Sequence, residues 1–383
     1  MLRRLTVSIA ILTACVARAP SPSPVQAPTC TPVGTDDDLS DLAPLGEIVG
    51  DARVVALGEA THAGGGAFVA KARVVRYLHE KKGFDVLAFE SSLWACESGA
   101  VSCLAWPWAG AKEVDSVLAW AKQRGMTTTG FDPQISGGQA RLDAFESWVA
   151  KELGPGPELA PRLRTAFARY PKMGKFRLLS TTDRATDVAT FRDARALAVT
   201  KGDPLLVRAL DDVLVVYAWH ESVGAERSTT IDWDGHVENN DVRDRAMAED
   251  VRWLLDVRHP GKKLVLWVAS AHAQKDAQLV EFAGYAKFHS MGSWLSSSLG
   301  KGYVAIAFGA QGGRIGNEPI PEQDLAPAPA DAIERACTTE HGLLRLSTAA
   351  RVGRLLGYQP FRAPWGKAFD AAIVLGTTTP VTR

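Results

Sequence analysis

The stretch Arg53-Val54-Val55-Ala56-Leu57-Gly58-Glu59-Ala60-Thr61-His62 decides the fold. Its first five residues form an apolar run of strand length, and Gly58 marks the turn that ends it. Beyond the turn, Phe68, Ala72, Val75 and Leu78 recur at spacings of three to four, which predicts an amphipathic helix over about 67–82. A second apolar strand, 84–89, follows Gly83. A helix over about 111–124 leads to a short segment ending Gly130-Phe131-Asp132. Strands that alternate with helices predict an α/β fold: a mostly parallel central sheet flanked by helices on both faces. In such sheets the loops at the carboxyl ends of the strands form the ligand crevice. Glu59 with His62, then Glu90, then Asp132 are therefore expected to converge there.

From Gly138 to about His259 the pattern changes to helical segments broken near Gly154-Pro155-Gly156-Pro157, Gly202-Asp203-Pro204 and the polar stretch 228–240. This reads as a helical insertion over about 138–259, placed as a cap over the crevice, with a helical layer beneath the sheet as the alternative. Its last helix, about 240–257, carries Met247, Val251, Leu254 and Leu255 on one face. Strands resume at 263–269, ending Ser270-Ala271-His272, and at 303–308, with a short helix opening at Met291-Gly292 between them. A final pair, 343–346 and 371–375, encloses a helix.

With 383 residues, 46% of them apolar and 22% charged, the chain is large enough for a substantial core. Its formal charge is zero, and removing a leader that contains Arg3 and Arg4 shifts that balance by only two charges. No basic field marks a nucleic-acid partner or an anionic membrane surface. The N-terminus pairs the charged Met1-Leu2-Arg3-Arg4 with a short apolar core ending Leu12-Thr13-Ala14-Cys15. That core is too short to span a bilayer and resembles a bacterial lipoprotein signal. Residues 1–14 are thus read as a signal peptide and Cys15 as the lipidated residue. Residues 15–40 form an anchor and a stiff spacer containing Ala19-Pro20-Ser21-Pro22-Ser23-Pro24. Residues 41–383 are read as one domain that includes the insertion. This places the protein in the cell envelope, touching membrane only through its lipid, and a monomer is expected.

Four further cysteines, Cys30, Cys96, Cys103 and Cys337, are an even number in an exported chain, where disulfides persist. Cys96 and Cys103 close a short loop and make the favoured pair, leaving Cys30 with Cys337; spacing alone permits three connectivities. No C-x-x-C pair suggests a zinc cluster.

A Glu and a His three apart also occur as a surface ion pair or a helix cap, and the zinc signature H-E-x-x-H is absent. More than spacing is available, however. Gly58-Glu59-Ala60-Thr61-His62, Ala88-Phe89-Glu90, Gly130-Phe131-Asp132, Arg243-Asp244 with Met247, Ala271-His272, Met291-Gly292 with Leu295, and Phe369-Asp370-Ala371 occur in one order. Together they resemble the erythromycin esterase family of bacterial hydrolases over about residues 45–380. That resemblance implies hydrolysis of a lactone ester without a required metal or cofactor, with a His as general base for water. It also implies antibiotic resistance as a candidate role and a small-molecule ester or lactone as partner. On this chain His62 matches the base, Glu59 and Glu90 the carboxylates around it, and His272 a histidine of the second motif. That motif commonly reads W-x-H-N-x-H, whereas here Ala269 and Ser270 replace its first His and its Asn. Lys71 stands where macrolide esterases usually carry Arg, and Gly66 where they carry an acid.

Hydrolysis by this route needs a water-activating base and charge facing the oxyanion. His62, held by Glu59 or Glu90, fits the first role, and Lys71 or a protonated His272 the second. Arg243 and Asp244 are read as an ion pair that positions the last insertion helix. Arg243 and Asp132 are secondary candidates for substrate contact. No G-x-S-x-G elbow is present. Two other readings stay open: a metal-dependent hydrolase using Glu59, His62, Glu90 and His272, and a binding lipoprotein whose site has lost catalysis.

Overall fold

Val55 and Leu57 point to one side of their strand while Val54 and Ala56 point to the other, and both sides are buried. Side chains alternate across a strand, so such a run fits only the middle of a sheet covered on both faces. The computed structural model describes residues 28–35, 37–170, 179–223 and 240–383. The expected signal peptide, Cys15 and the Pro-Ser run lie outside these residues.

Twelve strands are described: β1 Thr29–Pro32, β2 Val54–Glu59, β3 Val86–Ser92, β4 Thr127–Asp132, β5 Leu264–Ala269, β6 Tyr303–Ala310, β7 Gly313–Asn317, β8 Ile320–Leu325, β9 His341–Arg345, β10 Arg351–Gly353, β11 Phe361–Ala363 and β12 Ala371–Leu375. The main sheet runs β1-β9-β12-β6-β2-β5-β3-β4. From β12 to β4 every neighbour is parallel, while β9 pairs antiparallel with both β12 and β1. The expected α/β architecture is therefore present. The chain leaves β2 toward β3 in one direction and later returns β5 and β6 to either side of β2, so β2 lies at the point where the strand order reverses. Such a reversal opens a crevice at the carboxyl ends.

The helices are α1 Ala43–Val49, α2 Gly65–Lys82, α3 Leu93–Ser98, α4 Lys112–Gln123, α5 Gln139–Leu153, α6 Leu159–Arg169, α7 Thr181–Lys201, α8 Pro204–Val223, α9 Asp241–Trp253, α10 Ser270–Ala273, α11 Met291–Leu299 and α12 Trp365–Ala368. One face of the sheet packs against α1, α2 and α4, and the other against α9 and α11. The expected insertion divides. Helices α5–α8 surround a separate core of Phe145, Phe167, Phe191 and Tyr217, joined to the sheet through Trp94 of α3. The last helix is not part of a cap: Met247, Val251, Leu254 and Leu255 pack on the sheet with Ala88, Leu266 and Val268. The apolar stripe explains this placement, because the apolar face of the sheet gives it a surface to bury against.

Other boundaries also moved. The predicted first strand extends through Gly58 and Glu59, and Thr29–Pro32, within the stretch read as spacer, forms an edge strand against β9. The helix expected between the last two strands is the single turn α12, with β10 and β11 beside it. No helix among the described residues is long and apolar enough to cross a membrane.

Both favoured disulfides are present, Cys96–Cys103 across 7 residues and Cys30–Cys337 across 307. The long bridge staples the edge strand β1 to the turn preceding β9. A cross-link that closes a longer loop removes more freedom from the unfolded chain. Replacing Cys30 and Cys337 with Ser should lower the unfolding free energy by about 2–5 kcal/mol, more than the same change at Cys96 and Cys103. Urea denaturation measures both, and a larger loss from the short loop would contradict the argument.

Candidate active site

Gly58 is required by what lies behind it. A Cβ there would meet Ser270 Cα at 2.8 Å, and Ser270 Oγ donates to Gly58 O at 2.8 Å. The close approach of β2 to the start of α10 brings Glu59 and the following turn beside the end of β5. Gly65 and Gly66 have a similar cause: a Cβ at Gly65 would lie 2.3 Å from Pro380 O and one at Gly66 3.0 Å from Thr378 Oγ1, so the first turn of α2 fits closely under the C-terminal segment.

Glu59 is fully buried and divided between two partners. Its Oε1 lies 2.9 Å from His62 Nδ1, and its Oε2 accepts from Lys71 Nζ. A proton on Nδ1 serves this contact and leaves Nε2 as the free nitrogen of His62, whose side chain keeps 26% of its surface exposed. Trp108 and the imidazole form a T-shaped pair with ring centroids 5.2 Å apart.

Lys71 cannot reach a substrate. It has no accessible surface; its ammonium lies behind Glu59, donates to Val268 O at 3.3 Å and sits 4.5 Å above the Trp267 ring. The expected contact with substrate or oxyanion is corrected on that ground, because α2 carries Lys71 along the buried face of the sheet. Burial lowers its pKa to about 8, against the pull of Glu59 and Glu90.

Glu90 projects toward the opposite face. Its Oε2 accepts the Ala269 N–H at 3.0 Å, and its Oε1 lies 2.9 Å from Arg243 Nη2 and 3.3 Å from His272 Nε2. Burial disfavours the charge, but His272, Arg243 and His62 hold the carboxyl well below its usual range. Arg243 also grips Asp132, through Nη2 at 2.7 Å and Nε at 3.3 Å. Despite burial, Asp132 and Glu90 keep its guanidinium firmly charged.

The expected Arg243–Asp244 pair is not formed. The two side chains diverge: Asp244 Oδ1 lies 2.8 Å from His272 Nδ1 and accepts the Met291 N–H at 2.7 Å. Burial raises the Asp244 pKa despite these donors. Burial also opposes charge on His272, yet Asp244 and Glu90 raise it to about 10. His272 is therefore an imidazolium that donates from Nδ1 to Asp244 and from Nε2 to Glu90. The 3.2 Å separation of Arg243 Nη1 from His272 Nε2 is then two cations sharing Glu90, not a bond between them.

Glu59 with His62, and on the other face Glu90, Asp132, Arg243 and His272, thus lie as two groups at the carboxyl ends of β2, β3, β4 and β5. Asp244 was legible only as a neighbour of Arg243. Asn317 was not singled out, although its Nδ2 donates to His62 O at 2.7 Å. No local pattern announces such a long-range contact. Ala269 offers the site its N–H and Ser270 turns its hydroxyl inward to Gly58, so neither replaces the imidazole or amide of the family motif. Among the described residues, no three His, Cys, Asp or Glu side chains are grouped to hold a metal.

A family model described as erythromycin esterase matches residues 79–374. This span includes Glu90, Asp132, Arg243 and His272 and begins after His62. A putative hydrolase of Bacillus subtilis is 24% identical over 313 residues, covering 71% of this chain and 68% of its own length. An erythromycin esterase type II of Escherichia coli is 44% identical, but only over 55 residues, 14% of this chain and 13% of its own. Among solved structures, an erythromycin esterase mutant in its open conformation aligns with TM-score 0.72 at 18% identity, over 93% of this chain and 99% of its own. A succinoglycan biosynthesis protein aligns with TM-score 0.72 at 16% identity, over 92% and 95%. These structural likenesses establish the fold, and the family model, which spans most of the sequence, establishes the lineage: the chain belongs to the erythromycin esterase family.

Proposed function

We propose that the protein hydrolyses a carboxylic ester or lactone by general-base activation of water at His62. The observation that carries this reading is the division of Glu59: one oxygen holds His62 Nδ1 and the other is neutralised by Lys71. The nitrogen that Glu59 leaves free, Nε2, is then the base. It takes a proton from water while the water oxygen attacks the carbonyl carbon. The carbonyl becomes a tetrahedral oxyanion, and Arg243 with His272 supplies positive charge near it. The Nε2 proton then passes to the leaving alkoxide as the C–O bond breaks, yielding acid and alcohol and restoring His62. Such positioned proton transfer contributes on the order of 10²- to 10⁴-fold.

Lys71 supports the base through Glu59. Without its charge, Glu59 is a buried carboxylate with one partner fewer, and the orientation of His62 is less firmly fixed. A macrolide lactone is the substrate to try first, since the Escherichia coli relative is named for one.

His62→Ala should abolish ring opening of macrolides and simple lactones, followed by product mass, while circular dichroism shows an intact fold; undiminished turnover would refute the base assignment. A second expectation concerns alkaline pH. Because the Lys71 pKa lies near 8, the ammonium loses its proton as pH rises through that value, and kcat should fall on that limb. Lys71→Arg places a permanently charged group there and should move the limb upward by more than one pH unit. A pH–rate profile that ends at the same pH in both proteins would contradict the role.

A further inference from the structure

We infer that Asn317 is a positioning residue for His62, joining the turn that carries the imidazole to the loop that walls it. The inference rests on the hydrolase reading above and adds to it a residue from a remote part of the chain. Asn317 ends β7 and is 2% exposed. Its Nδ2 donates to His62 O at 2.7 Å and to Pro107 O at 3.1 Å, and its Oδ1 accepts from the Arg383 guanidinium. The same Arg383 nitrogen donates to Pro107 O at 3.0 Å. Both amide hydrogens and the amide oxygen are thus engaged, a combination of two donors and one acceptor that Asp and Leu lack.

The two carbonyls belong to segments far apart in sequence. One is that of His62 itself. The other precedes Trp108, whose indole packs at a steep angle to the imidazole. The hairpin of β7 and β8 reinforces both ends: Gly316 N–H donates to Ala63 O at 2.8 Å, and Trp106 Nε1 donates to Glu318 O at 2.7 Å. Glu59 fixes the rotation of the imidazole, whereas Asn317 fixes the backbone from which it extends and its distance from Trp108. A displacement of about 1 Å at a reacting group can cost on the order of 100-fold in rate.

Two substitutions test this. Asn317→Asp keeps the shape and an acceptor for Arg383 but turns a carboxylate toward two carbonyl oxygens. Arg383→Ala, at an exposed position, leaves Asn317 in place and removes its anchor. With a lactone substrate, Asn317→Asp should lower kcat on the order of 10- to 100-fold, with KM within about twofold. Arg383→Ala should show a smaller fall of the same kind. The imidazole NMR signals of His62, assigned by their loss in His62→Ala, should move in both variants, which loss of stability alone would not produce. Folded variants with wild-type kcat and unmoved His62 signals would overturn the inference, and Arg383→Ala decides if Asn317→Asp does not fold. If the unmodified protein hydrolyses no ester, the hydrolase reading falls, while the His62 signals still decide whether Asn317 holds that residue.

Discussion

Arg243 is the group on which the arrangement depends. A parallel sheet brings its strand ends together, and here those ends carry Glu90 and Asp132, two carboxylates with almost no access to water. Neither is tolerable as an unpaired charge at that depth. The guanidinium of Arg243 meets both, and its planar fork engages Asp132 through two nitrogens at once. Removing one member of such a buried group typically costs about 3–5 kcal/mol. The apolar stripe of α9 brings Arg243 there: Met247 and Val251 bind the helix to the sheet, and its first turn then projects over the ends of β3 and β4.

Around this centre the site divides into two halves on opposite faces of the sheet. On the α2 side, Lys71 and Glu59 hold His62 with one nitrogen free. On the α9 side, Arg243, His272, Glu90, Asp132 and Asp244 form a fixed and strongly polar wall. The alternation of side chains along β2 and β3 causes the division: Glu59 continues the register of Val55 and Leu57, and Glu90 that of Val86 and Ala88. A histidine with one ring nitrogen free on one side and buried positive charge on the other suit the proposed attack of water on a polarised carbonyl.

Much of this was legible in the sequence because it follows from local rules. The apolar run before Gly58 and the strands near 86, 264 and 303 read as buried strands. The rule for carboxyl strand ends then brought Glu59, His62, Glu90, Asp132 and His272 to one crevice. The remainder depended on long-range geometry. Lys71 has the spacing of an ordinary helix lysine, and only the packing of α2 shows that it is enclosed. Asp244 follows Arg243 directly, so adjacency suggested a pair, whereas successive helix positions point about 100° apart and serve different partners. Asn317 lies 255 residues beyond His62, in a hairpin with no periodic signal. The edge strand β1 is short and largely exposed, without the apolar run that marked the others.

The most direct measurement is a crystal structure of the protein with a phosphonate monoester, whose tetrahedral phosphorus imitates the state formed when water attacks an ester. One phosphonate oxygen should lie within hydrogen-bond distance of His62 Nε2, and another should face Arg243 and His272. A phosphonate seated away from His62, or a His62 that has left Glu59 to turn its ring from the ligand, would contradict the proposed mechanism.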